Sequence, residues 1–319
     1  MTGQHLKIPF IIGAGSGGSR IVSKIMVAGA QPTLIGINSS WKDLDALDNI
    51  VKVRAGGGDG SGMDPKRGEK DYLSSRERFF EVIEKVLEER RLSKDDVDVI
   101  PVIISAGHGF GTGSGPRIVE DLKKMFRRTP ILAFITLPFA FEGELTMRKA
   151  VDCLKKVSEL TGTIPISNQH VASLLGPEES IKVVLAKVNA YIAAAISTII
   201  SIATAETVLS GIDRTDIAKV VDRGVIYLFT RSFKQGEPVE KLYNSDSMLF
   251  EARPSDVRRP ARMLALIQSP KITVGLAEEV KSLAESKLNV SVVEFKQALL
   301  AGAESTRIGV VVSGMRWWI

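Results

Sequence analysis

Cysteine is almost absent: the 319 residues contain one, Cys153. A lone thiol excludes an intramolecular disulfide and fits a reducing compartment, so a cytoplasmic setting is expected. Cys153 falls inside the helical pattern of 145–160 and reads as a core or boundary residue. No charged stretch leads into an apolar one at the N-terminus, so no signal peptide is expected. No G-x-x-x-x-G-K-[ST] run occurs, which excludes a P-loop. Charge is missing from Val188 to Ala205, a stretch close to membrane-span length. Asn189, Ser197, Thr198, Ser201, Thr204 and several alanines within it suit close helix packing, so a buried central helix is expected and no integral membrane segment. The formal charge of +5 raises the question of nucleic acid. Neither basic cluster, Lys123, Lys124, Arg127 and Arg128 or Arg258, Arg259 and Arg262, is accompanied by an aromatic stacking pattern or zinc-ligand spacing. Both read as solvated surface, with an unknown adaptor or anionic partner as the alternative.

Glycine, by contrast, is concentrated where it carries information. Ser105-Ala106-Gly107-His108-Gly109-Phe110-Gly111-Thr112-Gly113-Ser114-Gly115-Pro116 follows an apolar run, Val99 to Ile104, that reads as a buried strand. It precedes Arg117 to Arg128, which reads as an amphipathic helix. A glycine-rich loop between strand and helix lets backbone amides converge on an anion with no β-carbon in the way, a design for phosphate. A second cluster, Gly13-Ala14-Gly15-Ser16-Gly17-Gly18, lies between a strand over Lys7 to Ile12 and a helix over Ser19 to Ala28. It satisfies G-x-G-x-x-G, the dinucleotide fingerprint. The strand Thr33 to Ile37 that follows ends in Asn38-Ser39-Ser40 and lacks the acidic residue that would hold a nicotinamide ribose, which weakens an NAD-dependent oxidoreductase reading.

Taken in order, these loops resemble those of the tubulin/FtsZ superfamily of self-assembling GTPases, in its FtsZ/CetZ-like branch. Gly13 to Gly18 is similar to the first phosphate loop, contributing Gly15, Ser16, Gly17 and Gly18, and Ile37-Asn38-Ser39-Ser40 to the second, contributing Asn38. Gly109-Phe110-Gly111-Thr112-Gly113-Ser114-Gly115 resembles the GGGTGTG signature. Thr136-Leu137-Pro138-Phe139-Ala140-Phe141-Glu142-Gly143 resembles the TxPFxFEG segment that meets the ribose, through Pro138 and Glu142. Asn168 stands at the IxxxN turn, and Asn189 where the central helix reaches the base. A third loop, sensing the γ-phosphate, falls in 54–65, where Ala55-Gly56-Gly57 and Gly60-Ser61-Gly62 are equally good candidates. The resemblance covers about residues 7 to 230. It implies GTP or GDP as ligand, with Mg2+ carried on the nucleotide phosphates, and a head-to-tail homopolymer as partner.

Alternating strands and helices over the first 175 or so residues, with a long charged helix from Glu69 to Arg91, predict an α/β fold: a Rossmann-like parallel sheet covered on both faces. The expected division is a nucleotide-binding domain over 1–177, a central helix over 178–210 and a smaller α+β domain over 211–319. In the last, a strand over Val225 to Phe229, a long polar loop over Arg231 to Pro260, and short strand and helix segments from Ile272 to Val312 are expected. After the central helix comes Gly211-Ile212-Asp213-Arg214-Thr215-Asp216, which resembles the catalytic NxDxxD loop with Gly in place of Asn. Carboxylates three apart at a helix start share a face and can polarise a water together. Read locally, Asp213 is equally an N-cap and Asp216 a first-turn charge. The chain departs from the family at Thr146, where an Arg is common, and at Ser40, where an Asp is usual. It stops at Trp317-Trp318-Ile319 without an adaptor-binding tail, and the Trp pair is expected to dock on the small domain, an aromatic anchor for a partner or membrane surface being the alternative. The expected function is a GTP-hydrolysing cytoskeletal protein with a catalytic site shared between neighbours. A structural homologue that binds nucleotide but hardly hydrolyses it is the alternative.

Overall fold

The computed structural model describes residues 7–26, 31–204, 212, 214–234, 236–244, 250, 259–301 and 304–315. Gly211, Asp213, Trp317 and Trp318 lie outside the described residues. The first half alternates β1 (Phe10–Ala14), α1 (Gly15–Val22), β2 (Thr33–Asn38), α2 (Trp41–Asp45), β3 (Val51–Arg54), α3 (Pro65–Leu73), α4 (Arg76–Glu89), β4 (Ile100–Ser105), α5 (Phe110–Met125), β5 (Ile131–Leu137), α6 (Glu144–Leu160) and β6 (Gly162–Ser167). It continues with α7 (Asn168–Leu175), α8 (Ile181–Thr204), α9 (Arg214–Val220), β7 (Gly224–Phe233), β8 (Arg259–Ser269), α10 (Val274–Leu288), β9 (Val290–Ala301) and β10 (Thr306–Met315).

All strands among the described residues join one sheet in the order β3-β2-β1-β4-β5-β6-β7-β10-β8-β9. The first six are parallel, and the order turns back between β1 and β4, the switch point where α/β sheets bind ligands. β5 is buried along its whole length, as expected of a parallel strand covered on both faces. Pleating sorts the apolar side chains. Phe10, Ile12 and Ala14 face the side covered by α3, α4, α5 and α6. Ile11 faces the side covered by α1, α7, α8 and α9.

The sheet crosses the boundaries drawn from the sequence. β6 pairs with β7 through Gly162 opposite Gly224 and Thr163 opposite Val225, and beyond this narrow joint β10 runs antiparallel to both β7 and β8. Helix α8 lies across the joint, burying Val188, Ile192, Ala195, Ile196 and Ile199 with Ile226, Leu228 and Leu266 of the sheet. The Tyr191 hydroxyl donates to the Leu228 carbonyl, and Arg307 Nη2 donates to Thr198 Oγ1 at 3.2 Å. Among the described residues Ile181–Ser201 of α8 is long and apolar enough to cross a membrane, but its apolar stripe is used by the sheet.

Three expectations are corrected. The charged helix expected over 69–91 is two helices, because Ser75 leaves helical geometry and its Oγ accepts the Gly56 amide at 3.2 Å. The glycine stretch after β4 is helical from Phe110 onward, so only 106–109 form a loop. The polar loop from Arg231 is shorter than expected, since β7 runs to Phe233 and β8 starts at Arg259. Within the segments expected from Ile272 onward, α10 starts at Val274, Thr273 Oγ1 capping it by accepting the Leu276 amide at 3.2 Å.

Candidate functional site

Two helices start where two adjacent strands end. β1 feeds α1 directly and β4 feeds α5 through the loop 106–109, so both N-termini open at the same edge of the sheet. Gly15 takes φ +80, and a β-carbon on it would lie 3.1 Å from the Gly111 nitrogen. The two ends therefore meet backbone to backbone. Their first amides have no intrahelical acceptor and carry the positive end of each helix dipole, an arrangement that attracts phosphate. Helix α5 starts early because Thr112 Oγ1 accepts the Gly107 amide at 2.8 Å, which folds the preceding loop onto the first turn.

A cavity of about 620 Å³ opens from this edge. Of the residues expected at a nucleotide site, Gly15, Ser16, Gly17, Gly109, Phe110 and Gly111 line it at the helix starts. Asn38, Pro138, Glu142, Asn168 and Asn189 line it elsewhere. Asn38 Nδ2 donates to Ser16 Oγ at 2.9 Å, and that hydroxyl donates to Asp43 Oδ2 at 2.7 Å. Glu142 Oε1 accepts the Phe139 amide at 2.8 Å, and its Oε2 lies 3.3 Å from His108 Nε2. Asn168 Oδ1 is buried without a hydrogen-bond partner among the described residues.

Other expected residues are placed away from the cavity. Gly18 packs on the Ile103 carbonyl of β4. Thr112, Gly113, Ser114 and Gly115 are absent from the lining: the Ser114 hydroxyl donates to the Phe110 carbonyl at 2.7 Å, and Gly113 and Gly115 are pressed against α3 and Ile104. Between the two candidates for the third loop, Gly60-Ser61-Gly62 lines the cavity and Ala55-Gly56-Gly57 does not. Ala55 is fully buried with its carbonyl accepting from Trp41 Nε1 at 3.0 Å, Gly56 is tied to Ser75, and Gly57 is exposed. Ser61 is buried, its hydroxyl 2.7 Å from Ser39 Oγ and 2.7 Å from Asp71 Oδ2, and the Gly60 amide donates to the Ser39 carbonyl. These bonds fold the third loop onto the second.

Thr146 is buried, and its hydroxyl donates to the Glu142 carbonyl at 2.9 Å. Ser40 caps α2 by accepting the Asp43 amide at 3.4 Å. Asp216 does not line the cavity: it is buried on α9, its Oδ1 3.4 Å from Lys296 Nζ of β9. Sequence reasoning missed Arg20, Lys24 and Lys182, cations in the cavity wall, and His108 within the glycine stretch. Arg20 and Lys24 stand four apart just beyond the first glycine cluster, and that spacing was a usable signal.

Residues 10–176 match the tubulin/FtsZ family GTPase domain. Cell division protein FtsZ of Aquifex aeolicus (strain VF5) is 29% identical over 291 residues, covering 88% of this chain and 74% of that protein. Among solved structures, the empty FtsZ dimer of M. jannaschii superposes with a TM-score of 0.74 at 21% identity, covering 98% of this chain and 89% of that one. The GTPγS-bound CetZ2 protofilament of Haloferax volcanii gives 0.75 at 19% identity, covering 95% and 91%. At these identities the structural likeness is one of fold.

Proposed function

The chain belongs to the tubulin/FtsZ family, and from that membership we propose that it binds guanine nucleotide in the cavity and hydrolyses GTP as it assembles head to tail into filaments. One observation carries the binding half. A single cavity joins the facing N-termini of α1 and α5 to a buried amide oxygen, Asn168 Oδ1, that lacks a partner. A buried acceptor without a donor is costly. The N1–H and 2-amino groups of guanine supply donors, while phosphate oxygens accept from the helix amides. Glu142 offers its carboxylate to the ribose hydroxyls between these ends. Mg2+ is expected on the phosphate oxygens, since no cluster of three or more His, Cys, Asp or Glu side chains among the described residues suits a metal.

Asp213 and Asp216 supply the hydrolytic carboxylates in this reading. Asp216 is outside the cavity of its own chain, so it acts on the nucleotide of a neighbour. A contact between unlike surfaces, repeated without closure, generates filaments. The dimer and protofilament forms of the FtsZ and CetZ2 relatives support this reading. A cytoplasmic, self-associating protein with an unknown adaptor follows. The homologue that binds but hardly hydrolyses is favoured by the Asp216 to Lys296 pair and by Thr146 turned inward. The oxidoreductase alternative falls with the family assignment.

Extraction of the co-purifying nucleotide, phosphate release and sedimentation test the whole. Guanine nucleotide, turnover that depends on protein concentration and pelletable polymer are expected. Bound GDP with no phosphate release would favour the non-hydrolysing homologue, and retained NAD would overturn the proposal.

A further inference from the structure

Every residue of the loop 106–109 is buried except His108, whose side chain is 55% exposed and lines the cavity. The backbone on either side of it is closely packed: a β-carbon on Gly107 would lie 2.9 Å from Thr146 Cγ2, and one on Gly109 2.8 Å from Ser61 Cβ. This places His108 one residue before Gly109, the N-cap of α5, where the free amides of that helix begin. Its Nε2 lies 3.3 Å from Glu142 Oε2, and Glu142 Oε1 accepts the Phe139 amide at 2.8 Å. Among the described residues Glu142 is the polar partner of the ring, so Nδ1 is left for a ligand.

The charges around the ring oppose one another. Glu142 favours an imidazolium, whereas the positive end of α5 disfavours it. Arg20, Lys24 and Lys182, the other cations in the cavity lining, act in the same direction as the helix end. Asp71 on α3 accepts from Ser61, and Lys149 on α6 donates to the Met63 carbonyl, so both are engaged elsewhere. A bound nucleotide tips this balance, because its phosphates bring negative charge to the amides beside the ring. Histidine is the side chain whose charge such a change can switch near neutral pH. Resting on the nucleotide reading above, we propose that His108 is a phosphate-binding residue that takes a proton from solvent as the nucleotide enters and stands as an imidazolium between Glu142 and the phosphates. Affinity for the nucleotide therefore rises as pH falls through the histidine range.

Calorimetry of GDP binding in buffers of different ionisation enthalpy tests this, since it reads protons taken up as well as affinity. The phosphates of GDP titrate in the same window. Wild type is therefore compared with His108→Gln, to which that contribution is common. Between about pH 8.5 and about pH 6 the affinity of wild type should rise roughly fivefold more than that of His108→Gln, the scale of a shift just under one pKa unit. Near neutral pH wild type should also take up more protons than the variant on binding. His108→Arg carries its charge throughout, so at the alkaline end it should bind GDP more tightly than His108→Gln. The replaced side chain is exposed, so both variants are expected to fold, and circular dichroism checks this. Equal proton uptake by wild type and His108→Gln overturns the assignment, as does a loss of affinity in His108→Gln that is the same at every pH. Equal affinities of the Gln and Arg variants at the alkaline end overturn it too. In those cases GDP still binds and the proposed function stands, whereas wild-type protein that binds no guanine nucleotide overturns both.

Discussion

At Gly113 a β-carbon would overlap the Pro65 carbonyl oxygen and lie 2.7 Å from the Glu69 amide nitrogen, so α3 and α5 can touch only where one lacks a side chain. Gly113→Ala should lower stability by about 2 kcal/mol, the scale of an overpacked core, with alanine's better helix propensity offsetting part of the loss. Nothing lies within 4 Å of a β-carbon at Gly57, and Gly57→Ala should stay within about 0.5 kcal/mol of wild type. Urea denaturation of the two variants checks the contrast, and equal midpoints would refute it. Gly111 is confined in the same way by the Ser105 carbonyl, so a branched residue there damages packing before it can report on phosphate. Asn168 is the better probe of binding. Its replacement by Ala removes an acceptor without adding volume and should weaken GDP at least tenfold, about 1.4 kcal/mol, in a protein that melts normally. Cys153 is buried, which pushes its thiol up to about 12. Because the thiolate is the reactive form, native protein at pH 8 should resist iodoacetamide while denatured protein reacts.

Helix α9 is tied to strand β9 by two crossed ion pairs, Asp216 to Lys296 at 3.4 Å and Lys219 to Glu294 at 3.2 Å. They differ in weight. Lys219 is about half exposed, and such pairs contribute little, whereas the Asp216 side chain is 8% exposed. Lys296→Met deprives a buried carboxylate of this cation and should lower stability by about 1–2 kcal/mol, with Lys296→Arg restoring most of it. Hydrogen bonding from Lys219, reinforced by the charges of Lys219 and Arg262, holds Glu294 below the usual carboxylate range. A depressed carboxylate stabilises above its unfolded pKa, about 4.3, and that contribution is lost as pH falls through its lower folded value. Thermal melts of wild type and Glu294→Gln should therefore converge on acidification below about pH 4, and a gap that widens there would contradict the assignment.

At the scale of the whole molecule, the cavity and Asp216 belong to different parts of one chain, joined by the two-residue pairing of β6 with β7 and by α8. If hydrolysis needs both from different subunits, defects in each should complement. A variant carrying Asn168→Ala and Asn189→Ala should bind poorly, and one carrying Asp213→Asn and Asp216→Asn should bind but turn over roughly 10²-fold more slowly, the scale of a lost general base. Each alone should be nearly inactive. Mixed, they should recover part of the wild-type rate, since one brings bound GTP and the other the acidic loop. A mixture as inactive as its components, with wild-type turnover linear in protein concentration, would sink the shared site.

Much of this was written locally in the chain. That Gly15 and Gly111, with Asn38, Pro138, Glu142, Asn168 and Asn189, line one cavity was legible in part because strand, glycine turn and helix units are dictated by a few consecutive residues. The parallel sheet followed from apolar strands alternating with helices. What sequence could not decide depended on groups far apart along it. The register of the third loop turns on Ser61 meeting Ser39 and Asp71, and the break before α4 on Ser75 meeting Gly56. The pairing of Asp216 with Lys296 joins residues eighty apart, and the cationic wall comes from bringing α1 to the start of α8. Local residues determined which backbone segments could cradle an anion, because φ/ψ preference and helix starts are short-range properties. Only tertiary structure decided which side chains line the cavity beside them, because hydrogen bonds and charge pairs act through space and take no account of chain order.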